Sequence, residues 1–283
     1  MDDVGAFRIN KEVLEEISLR LMDEGSRELI EMSEEIDPQM NSVKNILAKF
    51  SSLEAASFYI IGVASISYQL SAKGEEHWAI ASSYASGDPI EDLQLFTVRS
   101  PTLRFSREAR EARVKRLVSF WPSFKQNFTE YISDLERLRR NLAQVLRAEV
   151  DAKTVVFSVK MFYYALKASD IKVEVPFTIP IPVDRRVCLV SLASRLVEGA
   201  PPTLEEARKL LSKAPKLVAK AWNDVSLRAM IPPLRLDALL WLLGGCYERG
   251  GNPEKALEKA REIFPSINHQ ALSLVKLLIG LES

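Results

Sequence analysis

The sequence has few of the residues that hold metals: its 283 residues include only two cysteines, Cys188 and Cys246, and two histidines, His77 and His269. Two cysteines cannot supply the four thiolates of an iron–sulfur cluster, and two histidines give no convincing zinc set. We therefore expect chemistry that uses no metal ion and no cofactor. So few cysteines in a chain of this length also favour a reducing compartment.

The chain also lacks a net charge, a secretory signal and a convincing membrane span. Lys+Arg and Asp+Glu both number 38, which argues against binding nucleic acid through overall charge alone. The acidic start MDDVGAF has no positive flank before an apolar run, so the cytoplasm is the expected location. Residues 55–72 carry no charge but include four serines and fall short of the ~20 apolar residues that a bilayer requires. We expect a buried core helix there and no membrane contact.

What the sequence does have is helical periodicity along nearly its whole length, which predicts an all-α fold. Only residues 171–183, with three prolines, exclude a helix and predict an extended loop or at most a short hairpin. The length allows one large domain or two lobes that share a cleft. The helices expected up to residue 211 are 9–22, one starting near 26, 40–50, 53–70, 75–84, 106–120, 131–146, 152–167, 185–197 and 204–211, and three more follow.

Charge is distributed unevenly along the chain. Met1 to Asp37 holds twelve acidic and four basic residues, whereas Arg99 to Lys125 holds eight basic and two acidic ones. Arg107, Arg110 and Arg113 recur at every third position, which gathers them on one side of a helix. Such a run is either a solvated helix face or a surface that follows DNA phosphates.

The segment DAKTVVFSVKMFYY places a lysine where it can become a nucleophile. Asp151 is a natural N-cap, which puts Lys153 in the first turn of a largely apolar helix. The positive end of the helix dipole and the apolar neighbours both disfavour the ammonium form, as in lysines that form Schiff bases. Lys153, Phe157, Lys160 and Tyr164 share one helical stripe. The alternative is that Lys153 extends to solvent while the aromatic residues pack in the core.

Two carboxylates stand out in the second half of the chain. The segment IPIPVDRRV brings Asp184 to the start of a helix, where the simple alternative is an N-cap worth roughly 1 kcal/mol. Asp237 and Trp241 are four residues apart in IPPLRLDALLWLLGG and therefore lie on one helix face. A carboxylate among leucines needs a partner or a ligand, and Arg235 or another helix is the alternative partner.

Together these segments resemble the archaeal 8-oxoguanine DNA glycosylase/lyases, a branch of the helix–hairpin–helix DNA glycosylases. The resemblance rests on YQLSAKGEEHW, KTVVFSVK, VPFTIPIPVDRRV and IPPLRLDALLWL, in the family's order from about residue 37 to about 245. The acidic N-terminal helices and the tail after Gly250 lie outside it. The resemblance implies a two-lobed helical glycosylase unit with a central cleft, with lobes of approximately 88–183 and of 1–87 plus 184–283.

The resemblance also implies roles for individual residues. Lys153 matches the Schiff-base nucleophile and Asp184 the catalytic aspartate. Phe157 and Trp241 match the rings that sandwich the extruded base. The positions matching polar contacts to the oxidised base are Gln39, Trp78, Lys160 and Asp237.

The hairpin before the nucleophile departs from the superfamily pattern. LRAEVDAKT lacks the Gly-x-Gly turn by which many members offer backbone N–H groups to a DNA phosphate, and Arg147 stands at a glycine position. We therefore expect side-chain charge to contact the DNA backbone, through Arg107, Arg110, Arg113 and Arg147.

The expected function is DNA repair: excision of 8-oxoguanine, then cleavage of the strand 3′ to the abasic site by β-elimination through a lysine Schiff base. The partner is DNA that contains 8-oxoguanine, and no protein partner is evident. Two alternatives remain: a non-enzymatic helical adaptor, and a Schiff-base enzyme that acts on a small carbonyl substrate. The adaptor needs no reactive lysine, and the small-substrate enzyme needs no basic run.

Overall fold

The computed structural model describes residues 3–281. In this range the chain forms sixteen helices and one small three-stranded sheet, so the all-α prediction is confirmed. The helices of the first half are α1 (Lys11–Leu21), α2 (Glu24–Ile36), α3 (Pro38–Leu47), α4 (Leu53–Ser65), α5 (Gly74–Tyr84), α6 (Pro89–Arg99), α7 (Arg107–Gln126) and α8 (Phe128–Ser133). Those of the second half are α9 (Leu135–Leu146), α10 (Lys153–Lys167), α11 (Arg185–Ala193), α12 (Leu204–Lys213), α13 (Pro215–Ala229), α14 (Pro233–Gly250), α15 (Pro253–Ile263) and α16 (His269–Leu278).

Several helix limits differ from the prediction. Helix α6 was not expected, because the pair Gly87 and Asp88 was predicted only to end the helix over residues 75–84; Asp88 and Pro89 are the N-cap and first residue of a new helix. Helix α4 ends at Ser65 rather than at residue 70. Helix α7 continues through Pro122 to Gln126, and four helices rather than three follow α12.

The sheet lies outside the expected segment. Strands β1 (Asp3–Val4), β2 (Phe7–Ile9) and β3 (Val197–Glu198) pair antiparallel in that order. An added Cβ on Gly199 would lie 2.0 Å from the carbonyl oxygen of Ala6, and its φ is +117°, so this turn requires glycine. Residues 171–183 form neither helix nor strand, which leaves the extended loop of the two predicted alternatives.

The chain divides into two compact units. The first unit combines the residues up to Glu35 with those from Phe177 onward, and the second unit is Ile36–Pro176. The boundary predicted at residue 88 differs from this division, because α3, α4 and α5 pack with α6 and α10 in the second unit. The boundary predicted at residue 183 lies close to the observed one.

The second unit is organised around two buried helices. Helix α4 is buried from Ala55 to its end, and α10 is buried from Thr154 to Leu166. The two helices pack along each other, and α3, α6, α7 and α9 pack around them. The uncharged segment is therefore the core helix that the sequence predicted.

The first unit is built on α11 and α14, which pack against each other. Helix α12 lies on α11, α15 lies on α14, and α1 packs on α13 and α16. Over the described range no single helix is both long and apolar enough to cross a membrane. Only α13 and α14 taken together meet that criterion of length and composition, and they are bent by 116°.

Candidate active site

Helix α10 begins with the candidate nucleophile. Lys153 is exposed at its first position, whereas the next thirteen residues are buried. The N-cap is Ala152, which offers no side-chain cap to the first amides. The prediction that Asp151 caps this helix is wrong, because its carboxylate accepts a hydrogen bond from Arg139 at 2.7 Å instead. Lys153 therefore projects from a helix start whose positive end is not covered by a side-chain acceptor.

Two turns of α10 further on, Lys160 lies in a buried polar cluster. Its Nζ is 3.3 Å from Oδ2 of Asp37 and 3.3 Å from Oε1 of Gln39. The hydroxyl of Tyr164 donates to the same Asp37 oxygen at 2.8 Å. Lys160 is 1% exposed, Gln39 3% and Asp37 0%. The structure thus brings together two predicted base-contact residues, Lys160 and Gln39.

Asp37 was missed in the sequence, although a signal was present. An aspartate directly before a proline is a typical start of a helix. The carboxylate of Asp37 caps α3 by accepting from the backbone N–H of Gln39 at 2.8 Å, and its other oxygen receives Lys160 and Tyr164. One buried carboxylate therefore fixes both the start of α3 and the position of the Lys160 ammonium group.

Trp78 and Phe157 are also neighbours within the second unit. Their ring centroids are 6.1 Å apart in an edge-to-face arrangement, and the rings are 1% and 9% exposed. Beside Trp78, the imidazole of His77 is buried between the hydroxyls of Ser67 (2.8 Å) and Thr102 (2.7 Å). Burial, with a smaller effect of the Arg110 charge, lowers the pKa of His77 to about 3. His77 is therefore a neutral structural histidine at neutral pH.

In the first unit, Asp184 caps α11 as the simple interpretation predicts. Its Oδ1 accepts from the backbone N–H groups of Arg186 at 2.8 Å and Val187 at 3.0 Å. No hydrogen bond to Oδ2 forms within residues 3–281. Capping and catalysis are therefore compatible, because the cap uses only one of the two oxygens.

Trp241 is held against the start of the same helix. The guanidinium carbon of Arg186 lies 4.0 Å from the centre of the Trp241 ring, and Nε of Arg186 donates to Glu248 at 2.9 Å. Helix α14 approaches this closely because residue 244 is glycine: an added Cβ on Gly244 would lie 2.8 Å from the carbonyl oxygen of Arg186. The salt bridge and the cation–π contact fix the orientation of the indole.

Asp237 is 3% exposed and lies one turn before Trp241 on α14. Arg235, proposed as its alternative partner, forms ion pairs with Glu34 at 3.2 Å and with Glu31. These ion pairs hold Arg235 against α2.

The structure corrects the expected row of phosphate contacts. Arg110 is completely buried and donates to the carbonyl oxygens of Ile66 (3.1 Å) and Gln69 (3.3 Å) as well as to that of Tyr68. It therefore supports the loop after α4 and does not present its charge to a phosphate. The regular spacing gathers the three arginines on one side of α7, but Arg110 on that side points into this loop.

The other two arginines of the row also have protein partners. Arg113 is partly buried and donates to the carbonyl of Ser65 at 2.9 Å and the hydroxyl of Thr154 at 3.0 Å. Arg107 is exposed and pairs with Glu111 at 2.7 Å.

Arg147 has the backbone conformation expected at its glycine position. It is the C-cap of α9, with φ 53° and ψ 51°, in the left-handed region that glycine usually occupies. Its side chain is exposed at the turn that leads to α10. Within the described range no group of three or more His, Cys, Asp or Glu residues is arranged to hold a metal ion.

The chain matches known proteins over most of its length. The family model for the AGOG N-glycosylase/DNA lyases matches residues 19–274, beyond both ends of the segment quoted above. The N-glycosylase/DNA lyase of Pyrobaculum aerophilum is 33% identical over 81% of this chain and 84% of that protein. That of Methanopyrus kandleri is 32% identical over 76% of this chain and 84% of its own length.

A solved structure gives the same result for the fold. The 8-oxoguanine DNA glycosylase of Pyrobaculum aerophilum, crystallised with 8-oxoguanosine, superposes on this chain with a TM-score of 0.69 at 29% sequence identity. The superposition covers 95% of this chain and 97% of the Pyrobaculum chain. The chain belongs to the AGOG family of N-glycosylase/DNA lyases.

Proposed function

We propose that this N-glycosylase/DNA lyase excises 8-oxoguanine from DNA and cleaves the strand on the 3′ side of the abasic site through a Schiff base on Lys153. The observation that carries the assignment of the nucleophile is the exposed lysine at the uncapped start of α10. The relatives named N-glycosylase/DNA lyase and the crystal complex with 8-oxoguanosine support the substrate.

The reaction requires the damaged nucleotide to leave the base stack, because a base inside duplex DNA cannot be reached. The neutral amine of Lys153 attacks C1′ of the sugar, and the bond from C1′ to N9 breaks as the electron pair leaves with the base. Loss of a proton from nitrogen and opening of the sugar ring then give the imine. The imine acidifies C2′; removal of a C2′ proton expels the 3′ phosphate, which cleaves the strand.

Asp184 stabilises the positive charge that develops on the sugar or orients the attacking amine. One of its oxygens is engaged by two backbone amides, which fixes the carboxylate in one rotamer while the other oxygen is available for the reaction. A group that is fixed before the reaction needs no reorganisation in the transition state.

The resemblance assigns recognition of the base to residues on α3, α5, α10 and α14. Phe157 and Trp241 offer ring faces for stacking, and Arg186 and Glu248 fix the orientation of Trp241. 8-Oxoguanine differs from guanine by a proton on N7 and an oxygen on C8. Buried polar groups enforce such differences strongly, because a mismatched base leaves them unpaired. The candidates are Gln39, Trp78, Lys160 and Asp237.

Borohydride trapping tests this proposal. We expect reduction to cross-link the protein to duplex DNA containing 8-oxoguanine, and not to the matched duplex containing guanine. An enzyme acting on small carbonyl compounds would instead be trapped by them without DNA. Equal trapping of all damaged bases would retain the lyase chemistry and contradict the assigned substrate.

A further inference from the structure

A cluster of polar side chains lies at the start of α10, within the second unit. Its members are Ser65 at the end of α4, Arg113 on α7, and Thr154 and Ser158 on α10. Ser65 and Ser158 are completely buried, and Thr154 is 9% exposed. Three helices therefore meet at the residue that directly follows Lys153.

Arg113 joins α4 to α10 through a single nitrogen atom. Its Nη1 donates to the carbonyl oxygen of Ser65 at 2.9 Å and to the hydroxyl oxygen of Thr154 at 3.0 Å. This nitrogen carries two protons, so both hydrogen bonds form at once. The guanidinium carbon also lies 4.9 Å from the centre of the Tyr68 ring. These contacts fix the plane of the guanidinium group, and with it the side chain of Thr154.

A second set of hydrogen bonds closes the cluster. The hydroxyl of Ser158 donates its one proton to the carbonyl oxygen of Thr154 at 2.7 Å, which is nearer than that of Ile61 at 3.4 Å. The hydroxyl of Ser65, 2.9 Å from that of Ser158, is therefore the donor in this pair. Thr154 is thus held at its hydroxyl by Arg113 and at its carbonyl by Ser158.

The first turn of α10 depends on such contacts because no side chain caps it. The N-cap residue is Ala152, and a helix start without a capping side chain leaves its first amides without a side-chain acceptor. Lys153 is exposed, and its side chain forms no hydrogen bond or ion pair with any residue from 3 to 281. The position of Lys153 is therefore set by its backbone, and the contacts of Thr154 hold that backbone.

We propose that Arg113 is a positioning residue for the nucleophile: through Thr154 it fixes the first turn of α10, and so the place from which the amine of Lys153 attacks C1′. The proposal rests on the proposed function for the identity of the nucleophile and of the substrate. Geometry of this kind has a large effect on a reaction, since a displacement of about 1 Å costs about 100-fold in rate.

Two substitutions remove the contact from opposite sides. Arg113→Gln removes the guanidinium group, and Thr154→Val keeps the shape of the side chain but removes the hydroxyl. With saturating protein, we expect each to slow single-turnover base release from 8-oxoguanine DNA by about 10- to 100-fold. Thr154→Ser retains a hydroxyl and should keep most of the rate. The wild-type rate in either of the first two variants overturns the proposal, as does a Thr154→Ser protein as slow as Thr154→Val.

The double variant shows whether Arg113 acts through Thr154. If it does, the protein carrying both Arg113→Gln and Thr154→Val should be no slower than the slower single variant, because both changes break the same hydrogen bond. Losses of rate that multiply would show two independent roles and overturn the proposal.

Arg20→Gln is the matched control. Arg20 is also partly buried, and its Nη1 donates to a backbone carbonyl and a hydroxyl, both of Ser273, at 2.8 and 2.9 Å. It lies on α1, to which no role in the reaction is assigned, so its base release should keep the wild-type rate even where its melting temperature falls. If Arg20→Gln slows base release as much as Arg113→Gln does, the effect comes from lost stability and the proposal is overturned.

Hydrogen exchange examines the first turn without any catalysis. In mass spectrometry of peptides covering residues 153–159, we expect faster amide exchange in Arg113→Gln than in the wild type and in Arg20→Gln, because the turn opens more easily when Thr154 is released. Unchanged exchange in Arg113→Gln overturns the positioning role. Absence of base release by the wild type would instead contradict the proposed function, and the exchange of the first turn would still test the positioning role.

Discussion

The ammonium group of Lys160 lies 3.3 Å from Oδ2 of Asp37 in the interior of the second unit, where the two side chains are 1% and 0% exposed. Two charges removed from water in this way are costly unless each has several partners. Asp37 has them: Tyr164 and the backbone N–H of Gln39 also donate to its carboxylate. The pair fixes Lys160 and Gln39 in a defined geometry before any ligand binds.

Asp37→Asn is expected to destabilise the protein strongly. Asparagine still caps α3, but the substitution removes the charge that balances Lys160, and breaking a buried pair costs about 3–5 kcal/mol. The free energy of unfolding in urea measures this effect. The matched control is Asp88→Asn, the same change at the exposed N-cap of α6, which should cost less than about 1 kcal/mol. Equal losses in the two variants would show that the buried pair contributes nothing beyond the cap.

The sequence predicted the parts of the site that depend on local rules. Asp184 is an N-cap, and Lys153 begins a helix. Each of these features is determined by a few neighbouring residues, so the local pattern is sufficient. The buried helix α4 was predicted for the same reason, since an uncharged segment of that length belongs in the core.

Features that depend on tertiary contacts were missed. Spacing placed Arg110 on one face of α7, but periodicity does not tell whether that face meets solvent or the carbonyls of a distant loop. Asp151 has the residue type of an N-cap, but Arg139 from the preceding helix takes its carboxylate. The contact between Asp37 and Lys160 joins positions 123 residues apart, which no local pattern reports.

The stability of the protein is expected to depend on pH through His77. Its pKa is about 3 in the folded protein and about 6.5 in the unfolded chain. Between these values the unfolded state binds a proton that the folded state does not, so the free energy of unfolding falls as the pH falls, by up to about 1.4 kcal/mol per pH unit.

Urea unfolding from pH 7 to pH 5 measures this dependence in a range above the titration of most carboxylates. His77→Gln keeps a hydrogen-bonding side chain at this position but removes the titrating group, so its stability should change less over this range. His269→Gln is the control, because it retains His77. An identical pH dependence in the wild type and His77→Gln would contradict the assignment.

Lys153→Gln is expected to abolish borohydride trapping and strand cleavage while DNA binding persists. Glutamine has no amine to attack C1′, and an exposed helix start tolerates the substitution. The measurements are covalent trapping and product analysis with 8-oxoguanine DNA. Lys172→Gln, at an exposed lysine in the loop after α10, controls for loss of a charge. Full lyase activity in Lys153→Gln would remove this residue from the mechanism.

Asp184 permits a separation of its structural and chemical roles. Asp184→Asn retains a cap oxygen for the two amides, so its melting temperature should stay close to that of the wild type, whereas the rate of base release should fall strongly because the negative charge is lost. Asp184→Ala should lose both the cap and the negative charge. Its base release should slow, and its free energy of unfolding should fall by about 1 kcal/mol. Single-turnover base release and thermal melting distinguish the two roles. Unchanged base release in Asp184→Asn would leave the residue as a cap alone.

Asp237 and Trp241, one turn apart on α14, should contribute differently to recognition. Asp237→Asn should narrow the preference for 8-oxoguanine over guanine more than it weakens DNA binding, since an ionised carboxylate only accepts hydrogen bonds and the amide also donates. The ratio of single-turnover rates on the two bases, with DNA affinity measured in parallel, tests this. An unchanged ratio would assign Asp237 to the support of α14.

Trp241→Ala should slow release of every base, because it removes a stacking surface worth about 1–3 kcal/mol and every base has a ring face. Trp241 is also 8% exposed and packed on Arg186, so its loss costs stability as well. Trp241→Phe keeps a ring and should recover part of the rate. Arg186→Gln removes the guanidinium that orients the indole and should slow release less than Trp241→Ala. A Trp241→Ala protein that melts far lower, yet releases base at the normal single-turnover rate where it remains folded, would place Trp241 in the core and refute its role in stacking.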